Sequence, residues 1–369
     1  MLPDEIFLEI FKYLKSIHLD SFVGHNRRIN NIIRDVKVNI LIECNEKGER
    51  EDFDYVKSFL PNQFIRLELG YFWNTLDLNS YTKLRSLKID CTFLLRSQFH
   101  QVSTVNLPYL ERFALCNVPY SFGKILLSSI FDSQHFPSLK VCQFSGKFYY
   151  MLNFNKRYQS QNCTIRTLML SKWNASMMGS LLNFLPNLRR FETRFSESIN
   201  KSLNFNMYHI SLEHLHITLV DPSNDLEKIL PHIPNLKQLC VIGKISEHSI
   251  LKHFEKLSKV LQAHTPGLQK FDCELYCYAT NDQVDTLIIQ QLHSLFQLIK
   301  CHLGRFASQC YATNLTTHTT LEEFACKYRE FSSRDFSFLY AMVIYLWYMQ
   351  YMITRQNSLI QLRSDFNEK

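Results

Sequence analysis

The sequence predicts an α/β protein in three parts: a small N-terminal helical unit, an irregular horseshoe-shaped solenoid of short strands and helices, and a helical C-terminal tail. Three observations carry this prediction. The pattern apolar-x-x-apolar-x-apolar recurs nine times between Phe64 and Cys273. Five of the ten prolines stand two residues before the leading leucine of such a hexad. The opening stretch, in contrast, is an amphipathic helix outside the repeat. Composition agrees, since 46% hydrophobic and 20% charged residues over 369 positions describe a globular chain able to bury a sizeable core.

The first helix is read in LPDEIFLEIFKYL, residues 2–14. Pro3 suits the first helical position, where its missing N–H removes no hydrogen bond. Asp4 and Glu5 place negative charge at the positive end of the helix dipole. Ile6, Phe7, Ile10, Phe11 and Leu14 form a wide apolar stripe, with Glu9 and Lys12 opposite. Such a face needs a cover, either the chain's own core or a partner.

The repeat begins after VKVNILI (36–42), an alternating stretch that reads as a first strand, and after the charged surface turn NEKGERED (45–52). The hexads start at Phe64, Leu84, Leu110, Leu139, Ile165, Leu188, Leu212, Leu236 and Leu268, in steps of 20, 26, 29, 26, 23, 24, 24 and 32 residues. Spacing of about 25 residues is that of a stacked strand–helix unit, which cannot bury its face alone. Pro108, Pro137, Pro186, Pro234 and Pro266 share the phase. A proline ends the preceding helix and biases the chain toward extended geometry, which feeds a strand. The helices are read in 174–185, 224–233 and 250–264. Within each strand side chains alternate, so residues between and just after the last two core positions point outward. The expected concave, substrate-binding face therefore comprises Glu68, Lys88, Gln143, Arg190, Glu192, Arg194, His214, His216, Lys270 and Asp272.

These hexads resemble leucine-rich repeats over 36–275, without the asparagine or cysteine usual three residues beyond the last strand leucine. Thr92, Val118, Lys147, Trp173, Ser196, Val220, Lys244 and Tyr276 stand there instead, which predicts turns satisfied in another way. The first helix resembles the start of an F-box, and SIHLDSFVGHNRRINNIIRD (16–35) its second half, one residue short after Leu19. The resemblance implies domains at 1–35 (F-box), 36–275 (repeats) and 276–369 (cap and apolar tail). It implies a non-catalytic substrate receptor of an SCF-type ubiquitin ligase, bound through the Skp adaptor to a cullin, in the cytoplasm or nucleus. Leu2, Pro3, Ile6, Ile10, Phe11 and Leu14 are then the residues that meet the adaptor or hold the box together. The alternative is a free-standing leucine-rich-repeat interaction scaffold without ligase association, either free or anchored to a membrane by its C-terminal segment.

No nucleophile elbow, paired-carboxylate motif, HExxH or glycine-rich phosphate loop is present, so neither an enzyme nor a cofactor is expected. CELYC (273–277), with His293, Cys301 and His302, lacks zinc-site spacing. The net charge of +7 is spread along the chain and leaves no nucleic-acid footprint. Eleven cysteines, an odd number without a framework, suit a reducing compartment, and the acidic N-terminus does not read as a signal peptide. The segment 287–303 reads as a helical cap. Residues 336–354 are 19 positions without a charge, barely a membrane span; five tyrosine or tryptophan residues and a glutamine favour a docked helix or a poorly folded tail instead.

Overall fold

The computed structural model describes residues 4–12, 14, 19, 21–24, 27–36, 38–42, 59–70, 76–92, 95–119, 130, 135–146, 164–173, 178–195, 208–245, 249–277, 284–303 and 309–313. Twelve strands form one sheet: β1 (Val38–Ile42), β2 (Phe64–Leu69), β3 (Ser86–Asp90), β4 (Arg112–Val118), β5 (Val141–Gly146), β6 (Thr167–Trp173), β7 (Arg190–Phe195), β8 (His214–Leu219), β9 (Gln238–Lys244), β10 (Lys270–Cys277), β11 (Lys300–Leu303) and β12 (Gln309–Ala312). The helices among the described residues are α1 (Asp4–Lys12), α2 (Arg27–Asp35), α3 (Arg96–Thr104), α4 (Met178–Phe184), α5 (Pro222–Ile229), α6 (Ile250–His264) and α7 (Thr286–Leu292). From β1 to β10 each strand pairs in parallel with the next in sequence, and the sheet ends in the order β10-β12-β11 with antiparallel pairing.

That order has a consequence. Parallel neighbours require crossovers, and crossovers of one hand advancing in one direction all fall on the same face of the sheet. The other face is left bare, and burial alternates accordingly along the strands. On the covered face, Leu67, Leu87, Phe113, Cys142, Leu168, Phe191, Leu215, Leu239 and Phe271 stand in register as one buried row. Leu69, Ile89, Leu115, Phe144, Leu170, Thr193, Ile217, Val241 and Cys273 form a second. The nine hexad-leading residues are buried beside them. Each hexad thus removes three side chains from water, worth roughly 1.5–3 kcal/mol for each large one.

The prolines work through turns. Pro108, Pro137, Pro186 and Pro266 occupy the second position of turns closed by Leu110 N–H to Leu107 O, Leu139 to Phe136, Leu188 to Leu185 and Leu268 to Thr265. Proline's fixed φ is set for that position, and first and last turn residues are both buried. At the strands' far ends, polar side chains take the place of the missing consensus residue. Asp90 accepts from Thr92 N–H at 2.9 Å and from Asn117 Nδ2, while Ser145 Oγ accepts from Asn117 N–H at 3.2 Å. Ser171 Oγ accepts from Gly146 N–H at 2.8 Å. Gly146 has φ +145°, and a Cβ there would fall 2.6 Å from Val118 O, so only glycine fits this approach.

The expected fold class, a small N-terminal helical F-box followed by an irregular leucine-rich-repeat solenoid and a C-terminal helical tail, is corrected. The described residues form one α/β unit on a single large, mostly parallel sheet. The N-terminal helices are no separate box: Phe11, Leu19, Ile32, Ile33 and Val36 belong to the same apolar core as the strands. The Gln63 amide, ahead of β2, donates to Ile33 O at 2.6 Å and Val36 O at 3.1 Å. The crossovers are not uniform units either, since they range from 3-10 turns such as Leu78–Ser80 to the 15-residue α6. The segment expected as a helical cap contains α7 but ends in β11, because Cys301 and His302 pair with β12. The tail segment 336–354 lies outside the described residues. Among the described residues no helix is long and apolar enough to cross a membrane.

Among the buried polar side chains, Thr193 and His253 each yield a measurable consequence. Thr193 is 6% exposed and its hydroxyl has no hydrogen-bond partner among the described residues. Thr193→Val should therefore stabilise the protein by about 1 kcal/mol in urea denaturation. His253 of α6 is fully buried, with neither ring nitrogen hydrogen-bonded among the described residues. Burial pushes its pKa down to about 4, an effect that Asp221 opposes and Lys256 reinforces. Between the ordinary value of 6.5 and about 4, the unfolded chain holds the extra proton, so this contribution is intact above that window and lost as pH falls through it. The loss should reach about 3 kcal/mol, and His253→Leu should flatten the stability–pH profile across that range.

Candidate functional site

The bare face of the sheet carries the exposed chemistry. One in-register row reads Arg66, Ser86, Arg112, Val141, Thr167, Arg190, His214, Gln238 and Lys270 from β2 to β10. The next reads Glu68, Lys88, Ala114, Gln143, Met169, Glu192, His216, Cys240 and Asp272. Nine of the ten expected face residues lie in these rows, and Arg194 lies in a third, opposite Thr218. None of the ten is buried. Sequence reasoning passed over Arg66 and Arg112, although the same alternation places them in the row of Arg190. It also passed over Arg85, Glu111 and Lys140, which precede their strands but are brought level by the backbone ladder.

Many of these charges pair. Glu68 lies between Arg66 and Lys88, with Lys88 Nζ 3.1 Å from its carboxylate. Burial acts to raise the Glu68 pKa, but hydrogen bonds from both cations outweigh it and hold the carboxyl below its ordinary value. Arg190 pairs with Glu192, and Lys270 with Asp272 at 2.7 Å. Glu111 is shared by Arg85 at 3.9 Å and Lys140 at 3.6 Å. Exposed pairs of this kind add little stability, typically under about 1 kcal/mol each, so their presence is not explained by folding. Between β2 and β7 the face holds a trough of about 610 Å³, floored by Ala114, Val141, Gln143, Thr167 and Met169.

A second surface lies on α1. Phe11 is buried, its ring 6.0 Å from Phe7 and 5.4 Å from Phe22, and Leu14 is half-buried against the same core. Arg28 of α2 lies over Phe7 at 5.6 Å and donates to Asp4 at 2.6 Å, tying the two helices together. Ile6 and Ile10, one helical turn apart, remain 43% and 47% exposed. Of the expected adaptor-binding set, Phe11 and Leu14 therefore hold the helix in place, while Ile6 and Ile10 face outward. Leu2 and Pro3 lie outside the described residues.

Burial pushes the pKa of Cys240, the thiol of the second row, up to about 12, which keeps it protonated and a poor nucleophile, and it raises those of Cys142 and Cys273 on the covered face as well. Among the described residues no cluster of three His, Cys, Asp or Glu is placed to hold a metal ion. No family model matches the chain, and the curated proteins hold no significant match to it.

Proposed function

We propose that this chain is a non-catalytic adaptor that binds a protein substrate on the bare sheet face and docks on the Skp adaptor of an SCF-type ubiquitin ligase through α1. The observation that carries the reading is the two-faced character of α1. Its aromatic side is fixed in the core, while Ile6 and Ile10 stay exposed with no structural task. Exposed isoleucines one turn apart suit helix-in-groove recognition, and the sequence around them resembles an F-box. The cullin follows from the adaptor. The eight cysteines among the described residues are all free, which supports a reducing compartment, the cytoplasm or nucleus.

A second reading has its own observation. The core shared by α1, α2 and the first strands is what a helical cap on an interaction scaffold would show, with no ligase involved. Substitution of the exposed residues separates the two, because surface changes leave stability within about 0.5 kcal/mol. Purified full-length chain should capture recombinant Skp adaptor, and Ile6→Ala with Ile10→Ala should weaken capture by well over about tenfold at an unchanged melting temperature. Absence of capture by the folded wild-type chain would leave the scaffold reading.

A further inference from the structure

We propose that the trough between β2 and β7 takes an extended acidic segment of the protein partner, with Arg112 as its central anchor. This rests on the reading of the bare face as the partner surface. Five cationic side chains but only two carboxylates line the trough. Both carboxylates are shared, Glu68 between Arg66 and Lys88 and Glu111 between Arg85 and Lys140, so neither neutralises its surroundings. Arg112 has no ion-pair partner among the described residues. Its register neighbours are Ser86 and Val141, and the next outward residue on its own strand is Ala114. An arginine whose cross-strand neighbours are neutral, and which no carboxylate holds, keeps its bidentate donors available for a ligand carboxylate.

The geometry sets the ligand's form. Arg66 and Arg112 are two strands apart and Arg112 and Arg190 three, about 10 and 14 Å at the usual strand spacing. An extended peptide crossing the strands rises about 3.3 Å per residue and turns every second side chain to the same side, so glutamates at alternate positions present a carboxylate to the trough about every 6.6 Å, within side-chain reach of Arg112 and of the arginines to either side. The trough's aromatic lining residue, Phe113, is 1% exposed, so no base-stacking platform is offered and a single-stranded nucleic acid fits poorly. Ala114, Val141 and Met169 provide apolar contact for the stems of the acidic side chains instead.

The test uses the full chain and a fluorescein-labelled synthetic peptide with glutamates at alternate positions in a Gly/Ser background, followed by anisotropy. Binding should weaken as salt rises, and a glutamine version of the peptide should bind about tenfold or more weakly. Arg112→Glu should lower affinity for the glutamate peptide by about tenfold or more, with Arg112→Gln intermediate and the melting temperature of both unchanged. Equal binding of the glutamate and glutamine peptides, indifference to both Arg112 substitutions, or tighter binding of single-stranded polyuridine RNA would overturn the proposal. Skp capture measured on the same preparations separates the two ideas. Failure of the wild-type chain to bind the acidic peptide with capture intact counts against the trough, whereas failed capture with peptide binding intact counts only against the ligase reading.

Discussion

Everything in this molecule depends on one backbone ladder. The carbonyl just before each strand accepts two N–H groups from the next: Arg85 O from Glu111 and Arg112, Glu111 O from Lys140 and Val141, Lys140 O from Arg166 and Thr167. Arg166, Arg189, Glu213 and Lys237 continue the pattern toward β10. This aligns the residues on each strand one-for-one with those of its neighbours, apart from shifts at the start of β1 and near the ends of β4 and β6. A slip of one residue would turn a whole strand's apolar side chains toward water. Register and core are therefore a single constraint.

The same alignment creates the site. Side chains of equal rank on successive strands form rows, so residues tens of positions apart in sequence become neighbours about 5 Å apart. Charge on the bare face costs little, since the carboxylates there stay partly hydrated and find cations across the strands. Sheets of parallel strands are usually covered on both faces. Here the one-directional strand order leaves a face open, and that face gathers the chain's polar repeat positions into one surface.

The two ends of the sheet are finished differently. At the start, α1 and α2 bring Phe11, Ile32 and Ile33 onto the core, and Gln63 binds the backbone that leads into β1. At the finish, β12 turns back antiparallel on β10, with Tyr311 fully buried and Thr313 Oγ1 accepting from Cys273 N–H. β12 thus covers the edge of β10 and leaves the four-residue β11 at the end of the sheet, too short to be much of a template for unwanted pairing.

Much of this was legible in the sequence wherever a local rule suffices. The hexad leucines mark the buried positions, the proline phase marks the turns, and the helix at 250–264 follows from its amphipathic period and its Ser249 cap. The outward residues from Glu68 to Asp272 follow from alternation alone, and Arg66 and Arg112 needed only the same rule applied further. Other features have no local signature. KCHL at 300–303 fits a helical period as well as a strand, and its pairing with Gln309–Ala312 depends on where β10 ends. The N-terminal helices show an apolar stripe in sequence, but not that the stripe would merge with the sheet's core. The trough exists because β2 to β7 stand side by side, and the unpaired charge of Arg112 depends on Ser86 and Val141, residues 26 and 29 positions away, being its neighbours. Sequence by itself determined which side chains are buried and which strands alternate, because those depend on nearest neighbours along the chain. Which charges meet across the sheet, and what surface they make, was decided only by the tertiary pairing, because Coulomb interactions depend on distance in space.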